Sequence, residues 1–376
     1  MMREKVFHVL TVLGIGAAIA AGAGCGPGIN GGGGGGGNPS PTPPIPAGIY
    51  YVNTGESTNR VTAQNSAPVA GGGVPSPLPG SPFSTGQNGA TGAPFGIALA
   101  KGGTVLYAVN SNANNITAFT VAGDGTLSTI ATTGVTGGTA PGGICVNPAS
   151  TFAAVVDTSG AVDTFTIGAG ALVNAHTIGG LNTPVTCAFS QDGAHVYVTS
   201  AAGIYAYNID GAGNLTLIAG SPFNAPNQYQ GIATTSIAAF AASLNASALG
   251  VFLINADGSL NFQQLAPVAA APYGVALTPS GNAVYVACAG LRAVDGFSVN
   301  GVTLNRLAGA PYPTQANKSA YLSVSSAGNL LVVLDELDLA VTLFAIKSDG
   351  TLGFAPTNIY GIGVPAGANP AAVVAR

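Results

Sequence analysis

Charge is what this chain has least of. Only 6% of its 376 residues are Asp, Glu, Lys or Arg, against roughly a quarter in an ordinary soluble domain. The net charge is -4 and no basic run occurs, which argues against nucleic acid as a partner. Tryptophan is absent, methionine occurs twice and histidine three times, so clusters of imidazole ligands are not available for a metal or redox centre. Mean hydropathy is high, at +0.44, yet beyond residue 25 there is no apolar run of about 18 residues, the length needed to cross a bilayer as a helix. The apolar residues are dispersed in short pieces, and the surface must be made polar by Asn, Ser, Thr and Gln instead of ions.

Glycine, at 57 residues, is abundant, and together with the many Val, Thr, Asn and Ser residues it disfavours helix. A unit of about 45 residues recurs. Pro94-Phe95-Gly96-Ile97-Ala98-Leu99 leads to Val105-Leu106-Tyr107-Ala108-Val109-Asn110, Pro184-Val185-Thr186-Cys187-Ala188-Phe189 to Val196-Tyr197-Val198-Thr199, and Pro272-Tyr273-Gly274-Val275-Ala276-Leu277 to Val284-Tyr285-Val286-Ala287. Several short strands per unit at this period predict an all-β, seven-bladed β-propeller. Each blade reads as four antiparallel strands, a to d, with units starting near Pro94, Pro141, Pro184, Ile232, Pro272, Ala320 and Pro370. The unit over 231–269 is degenerate, having lost both the Pro and the strand b Tyr. The repeat region opens at Gly48-Ile49-Tyr50-Tyr51-Val52-Asn53, which matches strand b, and ends at Pro370-Ala371-Ala372-Val373-Val374, which matches strand a. The last strand is therefore expected to complete the first blade and close the ring, removing exposed sheet edges.

Residues 1–24 read as an export signal: Arg3 and Lys5 precede an apolar stretch from Val6 to Ala23. Cys25 follows Gly22-Ala23-Gly24 and resembles the lipidation site of bacterial lipoproteins, with Gly22 where Leu is usual. Plain cleavage after Ala23 is the alternative. Residues 25–47, with the glycine run from Gly31 to Gly37 and the Pro-rich piece from Pro39 to Pro46, read as a tether. The expected location is the periplasm or cell surface, or otherwise the exterior, with the membrane engaged only through lipid.

Tyr51-Val52-Asn53-Thr54, Tyr107-Ala108-Val109-Asn110-Ser111, Asp124-Gly125-Thr126-Leu127 and Asp349-Gly350-Thr351-Leu352 look like the Tyr-Val-Thr-Asn propeller repeat. With Gly80-Ser81-Pro82-Phe83, Gly220-Ser221-Pro222-Phe223 and Gly309-Ala310-Pro311-Tyr312, they give residues 48–376 a resemblance to the seven-bladed lactonase-like family, similar to 6-phosphogluconolactonase. The resemblance implies a polar pocket of acidic, basic and histidine side chains that opens a sugar lactone. No contiguous motif lets those residues be transferred one by one.

Blade topology sorts the charges. Asp124, Asp192, Asp210, Asp257 and Asp349 precede Gly in a–b or c–d turns and read as hairpin formers. The b–c and d–a loops share the opposite, loop face. They bring Glu56, Arg60, Asp157, Arg292, Asp335, Glu336 and Asp338, the amides and hydroxyls of Asn53, Asn110, Asn112, Asn114, Asn115 and Ser200, and Gln228, Tyr229, Gln230 and Lys318. Solvated loop tips are the plain explanation of this clustering. As a site, Glu56 or Asp335 would be the base activating water, and Arg60 and Arg292 would bind a phosphate or carboxylate, with Asp157, Glu336 and Asp338 as further ligand contacts. His176 and His195 fall away from this rim and read as structural. Asp335, Glu336 and Asp338 lack the spacing of a calcium loop, and no metal or cofactor is expected. Cys145 aligns with Ala98 and Ala276, Cys187 with Ile97 and Val275. That one-residue offset turns their side chains to opposite faces, so they are expected to be unpaired, small buried residues.

Two functions compete. One is a tethered binding propeller that holds a small ligand, a glycan or a protein on its loop face. The alternative is a hydrolase of a sugar lactone. A redox or metal-dependent enzyme is a weaker third reading.

Overall fold

A computed structural model describes residues 47–66, 74–89, 93–224, 227–314, 316–353 and 359–376. The expected signal at 1–24, Cys25 and the tether up to residue 46 lie outside these residues. Among the described residues there is no α-helix, and only two short 3₁₀ turns interrupt the strands.

The short apolar runs form seven antiparallel sheets. Blade 1 pairs Ala372–Ala375 (strand a) with Ile49–Asn53 (b), Arg60–Asn65 (c) and Ser76–Pro77 (d). Blade 2 runs from Ile97–Ala100 through Val105–Asn110 and Asn115–Val121 to Leu127–Gly134. Blade 3 comprises Pro141–Val146, Phe152–Asp157, Ala161–Gly168 and Ala171–Gly179. Blade 4 comprises Pro184–Phe189, His195–Ser200, Gly203–Ile209 and Leu215–Leu217. Blade 5, the degenerate unit, still holds four strands: Tyr229–Thr234, Ala238–Ser243, Ala248–Ile254 and Leu260–Pro267. Blade 6 comprises Pro272–Leu277, Ala283–Cys288, Ala293–Asn300 and Thr303–Arg306. Blade 7 comprises Ser319–Val324, Leu330–Asp335, Ala340–Ile346 and Leu352–Gly353. The ring closes as the sequence predicts. Val52 pairs with Val373 and Tyr51 with Val374 across the two ends of the chain.

Stability resides between blades. Seven buried apolar clusters occur, each drawn mainly from two neighbouring blades, as where Tyr107 and Val109 of blade 2 meet Val155 and Phe165 of blade 3. A phenol joins four of these interfaces. Tyr51 donates to the Gly125 carbonyl (2.9 Å), Tyr107 to Gly170 (3.0 Å), Tyr197 to Gly258 (3.1 Å) and Tyr285 to Gly350 (2.7 Å), each in the c–d turn of the next blade. Glycine is needed at such a turn: Gly125 has φ +86°, and a Cβ there would fall 2.5 Å from Ile49 Cδ1.

The cysteine expectation is overturned. Cys145 and Cys187 form a disulfide, with Cα atoms 5.7 Å apart. The aligned positions hold: Cys145 pairs with Ala154 as Ala98 pairs with Tyr107, and Cys187 with Val198 as Ile97 with Ala108. The inference from them reverses, because blades stack face to face around the ring. Side chains on opposite faces of adjacent blades point into the same interface. Tyr229 and Gln230, expected in a d–a loop, lie in strand a of blade 5.

Candidate functional site

The d–a loops deliver the chain to strand a at the loop face, so the first residues of each innermost strand surround the axial mouth there. One layer further in, Ile97, Ile144, Cys187, Ile232, Val275, Leu322 and Val373, one per blade, line an axial cavity of about 130 Å³. That volume holds only a few waters. None of the cavity's lining side chains is an acid, ammonium or guanidinium, although Thr186 and Tyr321 bring hydroxyls, so the charged groups of the axis stand at its mouth.

Three aromatics occupy that mouth. The rings of Phe95 and Tyr273 stack (centroids 5.7 Å apart, 5° between planes), and Tyr321 meets both edge-on at 5.1 and 5.3 Å. At the register of Tyr321 other blades carry Gly96, Gly143, Gly231 and Gly274, and at that of Phe95 and Tyr273 blade 3 carries Gly142. Phe95 adopts φ +59°, a left-handed conformation that costs a bulky residue about 1–2 kcal/mol. It is fixed by hydrogen bonds on both sides, from its N–H to the Ala371 carbonyl and from the Ile144 N–H to its carbonyl. Burial pushes the Tyr321 phenol well up, with further contributions from Tyr273 and Glu336. Burial likewise raises the Tyr273 phenol, which also feels the Glu336 carboxylate and the Lys318 ammonium.

Lys318 and Glu336 form an ion pair of 2.8 Å beside these phenols. The acidic run after strand b of blade 7 builds the position of Lys318. Asp338 accepts from the backbone N–H and the side-chain amide of Asn317, both at 2.6 Å. The Glu336 N–H donates to the Lys318 carbonyl. Ser319 Oγ and Thr342 Oγ1 donate to the two oxygens of Asp335. Residues 317–319 are thus held at all three positions. Thr314 extends the network: its hydroxyl shares a hydrogen bond with Ser319, and its N–H donates to the carbonyl of Arg292. Arg292 is exposed, has φ +51°, and among the described residues its guanidinium has no hydrogen-bond or ion-pair partner.

The residues singled out from the sequence therefore divide into groups. Glu336, Asp338 and Asp335 come together around residues 317–319, and Arg292 joins the same network through its backbone carbonyl, which accepts from the Thr314 N–H. Glu56 and Arg60 pair with each other on blade 1, through Arg60 Nε and a nitrogen of its fork at 2.9 and 2.5 Å. Burial raises the Glu56 carboxyl, but the Arg60 and Thr54 hydrogen bonds outweigh it and hold the group below the usual range. Asp157 is fully buried at the end of strand b of blade 3, where it accepts from the N–H groups of Ala140 and Ser159. Asp335 is equally buried, and burial pushes its carboxyl up to about 7 despite the Ser319 and Thr342 hydrogen bonds. Both belong to a positional series, Asn110, Asp157, Ser200, Ser243 and Asp335, that ends strand b in five blades and is buried in all of them, while buried Asn53 ends strand b of blade 1 one register position earlier. Asn53 donates to the Gly96 and Val109 carbonyls of the next blade, whereas Asn110 donates to Asn115 and Thr117, and Ser200 to Gly203, within their own blades.

Sequence reasoning missed Phe95, Tyr273 and Tyr321 as a site, although Pro-Tyr-Gly against Pro-Gly-Gly at the same register carried the signal. It also missed Asp163 and Asp295, buried carboxylates on strand c. Asp295 pairs with Arg306 (3.0 Å), its other oxygen has no hydrogen-bond partner among the described residues, and burial raises its carboxyl. No group of three or more metal-ligating side chains occurs among the described residues. His195 Nδ1 lies 2.8 Å from Asn208 Oδ1, and His176 Nδ1 accepts from the Leu215 N–H.

Among solved structures, a 6-phosphogluconolactonase candidate from Bacteroides fragilis superposes with a TM-score of 0.70 at 17% identity, covering 88% of this chain and 98% of that one. A second candidate, from Bacteroides uniformis, gives 0.71 at 16% over 88% and 99%. A periplasmic gluconolactonase from Pseudomonas aeruginosa gives 0.68 at 14% over 87% and 98%. No curated protein matches the sequence. The family described as "Lactonase, 7-bladed beta-propeller" matches residues 153–357, more than half of the chain, and the chain belongs to that lactonase-like propeller family.

Proposed function

We propose that this protein is an exported, lipid-anchored propeller that binds a small sugar-type ligand at the axial mouth of its loop face. The observation that carries the reading is the Phe95–Tyr273–Tyr321 floor beside the Lys318–Glu336 pair. Aromatic faces suit the C–H surface of a sugar ring, and an adjacent ammonium and carboxylate suit its oxygens. A phosphate or carboxylate on the ligand would turn toward Lys318 and the unpaired guanidinium of Arg292.

Export rests on Arg3, Lys5 and the apolar stretch to Ala23, with Cys25 as the acyl acceptor. The Cys145–Cys187 disulfide supports it, since such bonds persist in oxidising compartments.

Hydrolysis of a sugar lactone is the second reading, favoured by the family and by the same pair. Glu336 would take a proton from the attacking water. Lys318 or Arg292 would face the carbonyl oxygen as negative charge gathers there. Collapse then breaks the ring C–O bond, and the released alkoxide takes up a proton. Glu56 is a poorer base, because Arg60 holds both of its oxygens and Thr54 adds a third hydrogen bond, whereas Lys318 meets Glu336 at one oxygen.

The test is titration of the purified chain with sugar lactones and their aldonic acids, followed by tyrosine fluorescence, which no tryptophan obscures, with acid release measured in parallel. Saturable binding that weakens about tenfold in Tyr273→Ala and Lys318→Ala is expected. Acid release abolished by Glu336→Gln favours the hydrolase. Absence of both binding and turnover rejects the site.

A further inference from the structure

A large open cleft lies on the opposite face, among the a–b and c–d turns of blades 5 and 6. Blade 5 carries Phe240 at a strand b position that is Tyr in four blades (Tyr51, Tyr107, Tyr197 and Tyr285), Ala154 in blade 3 and Val332 in blade 7. Phenylalanine has no hydroxyl to donate to the next turn. The blade 6 turn at Asn300–Thr303 instead receives, among the described residues, the exposed Gln264 amide at the Val302 carbonyl (3.1 Å). A Cβ placed on Gly301 would meet nothing nearer than Ile237 Cδ1 at 3.7 Å. Between blades 5 and 6 this leaves a cleft of about 650 Å³, within the range of small-molecule sites.

Its lining is chemically specific. None of the lining side chains is ionisable. Ser236, Ser280, Asn282 and Asn300 offer hydroxyls and amides, while Ile237, 49% exposed, and Pro279 offer apolar surface. Ser236 and Asn300 make no side-chain hydrogen bond among the described residues, and the Ser280 hydroxyl and the Thr278 hydroxyl both donate to Asn282 Oδ1, which leaves the Asn282 NH₂ for a ligand. A charged ligand would lose its hydration here with no counter-charge in return. An uncharged ligand with many hydroxyls and one apolar face satisfies both halves of the lining.

We propose that this cleft is a second binding site, for an uncharged saccharide of one or two rings, independent of the loop-face site. The test is isothermal titration of the full chain with maltose, cellobiose, lactose and chitobiose. Ser236→Trp fills the cleft from an exposed position and Asn300→Ala removes a free amide, so neither disturbs the buried packing. At least one disaccharide is expected to bind, at least tenfold more weakly to each variant and unchanged in Lys318→Ala. Glucuronate-containing disaccharides are expected not to bind. Failure of all four sugars, binding that survives Ser236→Trp, or loss through Lys318→Ala would overturn the proposal, and the last would place the sugar on the loop face instead.

Discussion

At the scale of single residues, the carboxylates do different work from the one their sequence neighbourhood suggests. Asp335 sits in a run of acids that reads as a solvated loop, yet its side chain is closed off beneath Lys318 and raised to about 7. The unfolded chain would titrate this group near 3.8. Between those values the native state keeps a proton that the unfolded state has lost. Stability from Asp335 is therefore full below about pH 4 and is lost as pH rises through 7. Denaturant unfolding of the wild type at pH 5 and pH 8 should show a drop that is smaller in Asp335→Asn. Equal drops would mean that Asp335 titrates alike in both states. Glu56 has the opposite shift, so Glu56→Gln should take away stability that the wild type holds above the ordinary carboxylate range and loses in acid. Its side chain is only 10% exposed but its Arg60 partner is 32% exposed, which limits the effect to about 1 kcal/mol at neutral pH.

At the scale of elements, strands, their order and the closing pair were legible because each follows from local pattern: apolar runs, Asp-Gly turns and a fixed period. The contacts between blades were not. The Cys145–Cys187 bond is the clearest case, since the faces were assigned correctly and only the stacking of one blade on the next decides that opposite faces meet. The buried series from Asn110 to Asp335 was misplaced for a related reason. A polar residue after apolar ones looks like the start of a loop, whereas here neighbouring loop and strand groups close over it, as Ala140 and Ser159 do over Asp157 and Ser319 and Thr342 over Asp335. The disulfide closes a segment of 42 residues, for which chain entropy gives about 4 kcal/mol. The double variant Cys145→Ser/Cys187→Ser should lose about 2–4 kcal/mol in denaturant unfolding, and dithiothreitol should lower the wild type alike. The phenol contacts are smaller. Tyr197→Phe should cost about 1 kcal/mol, while Tyr205→Phe, whose ring is only partly buried, should cost less.

At the scale of the whole molecule, both proposed sites lie where the seven similar blades differ from one another. Aromatics stand at the loop-face mouth, and an open cleft lies between blades 5 and 6. Composition helped here only by exclusion, because a chain so poor in ions leaves few charged groups to weigh. The N-terminal reading makes its own prediction. Cys25→Ser should move the protein from the membrane fraction to the soluble exported fraction and abolish labelling by a fatty-acid analogue. Unchanged fractionation would argue against a lipid anchor.

The most direct measurement is a crystal structure of the chain soaked with a sugar δ-lactone or its aldonic acid. A ring lying over Tyr273, with oxygens about 3 Å from Lys318 Nζ, is the expected result. A ligand seated instead at Glu56 and Arg60, or a loop-face mouth left empty at saturating concentration, would contradict the account.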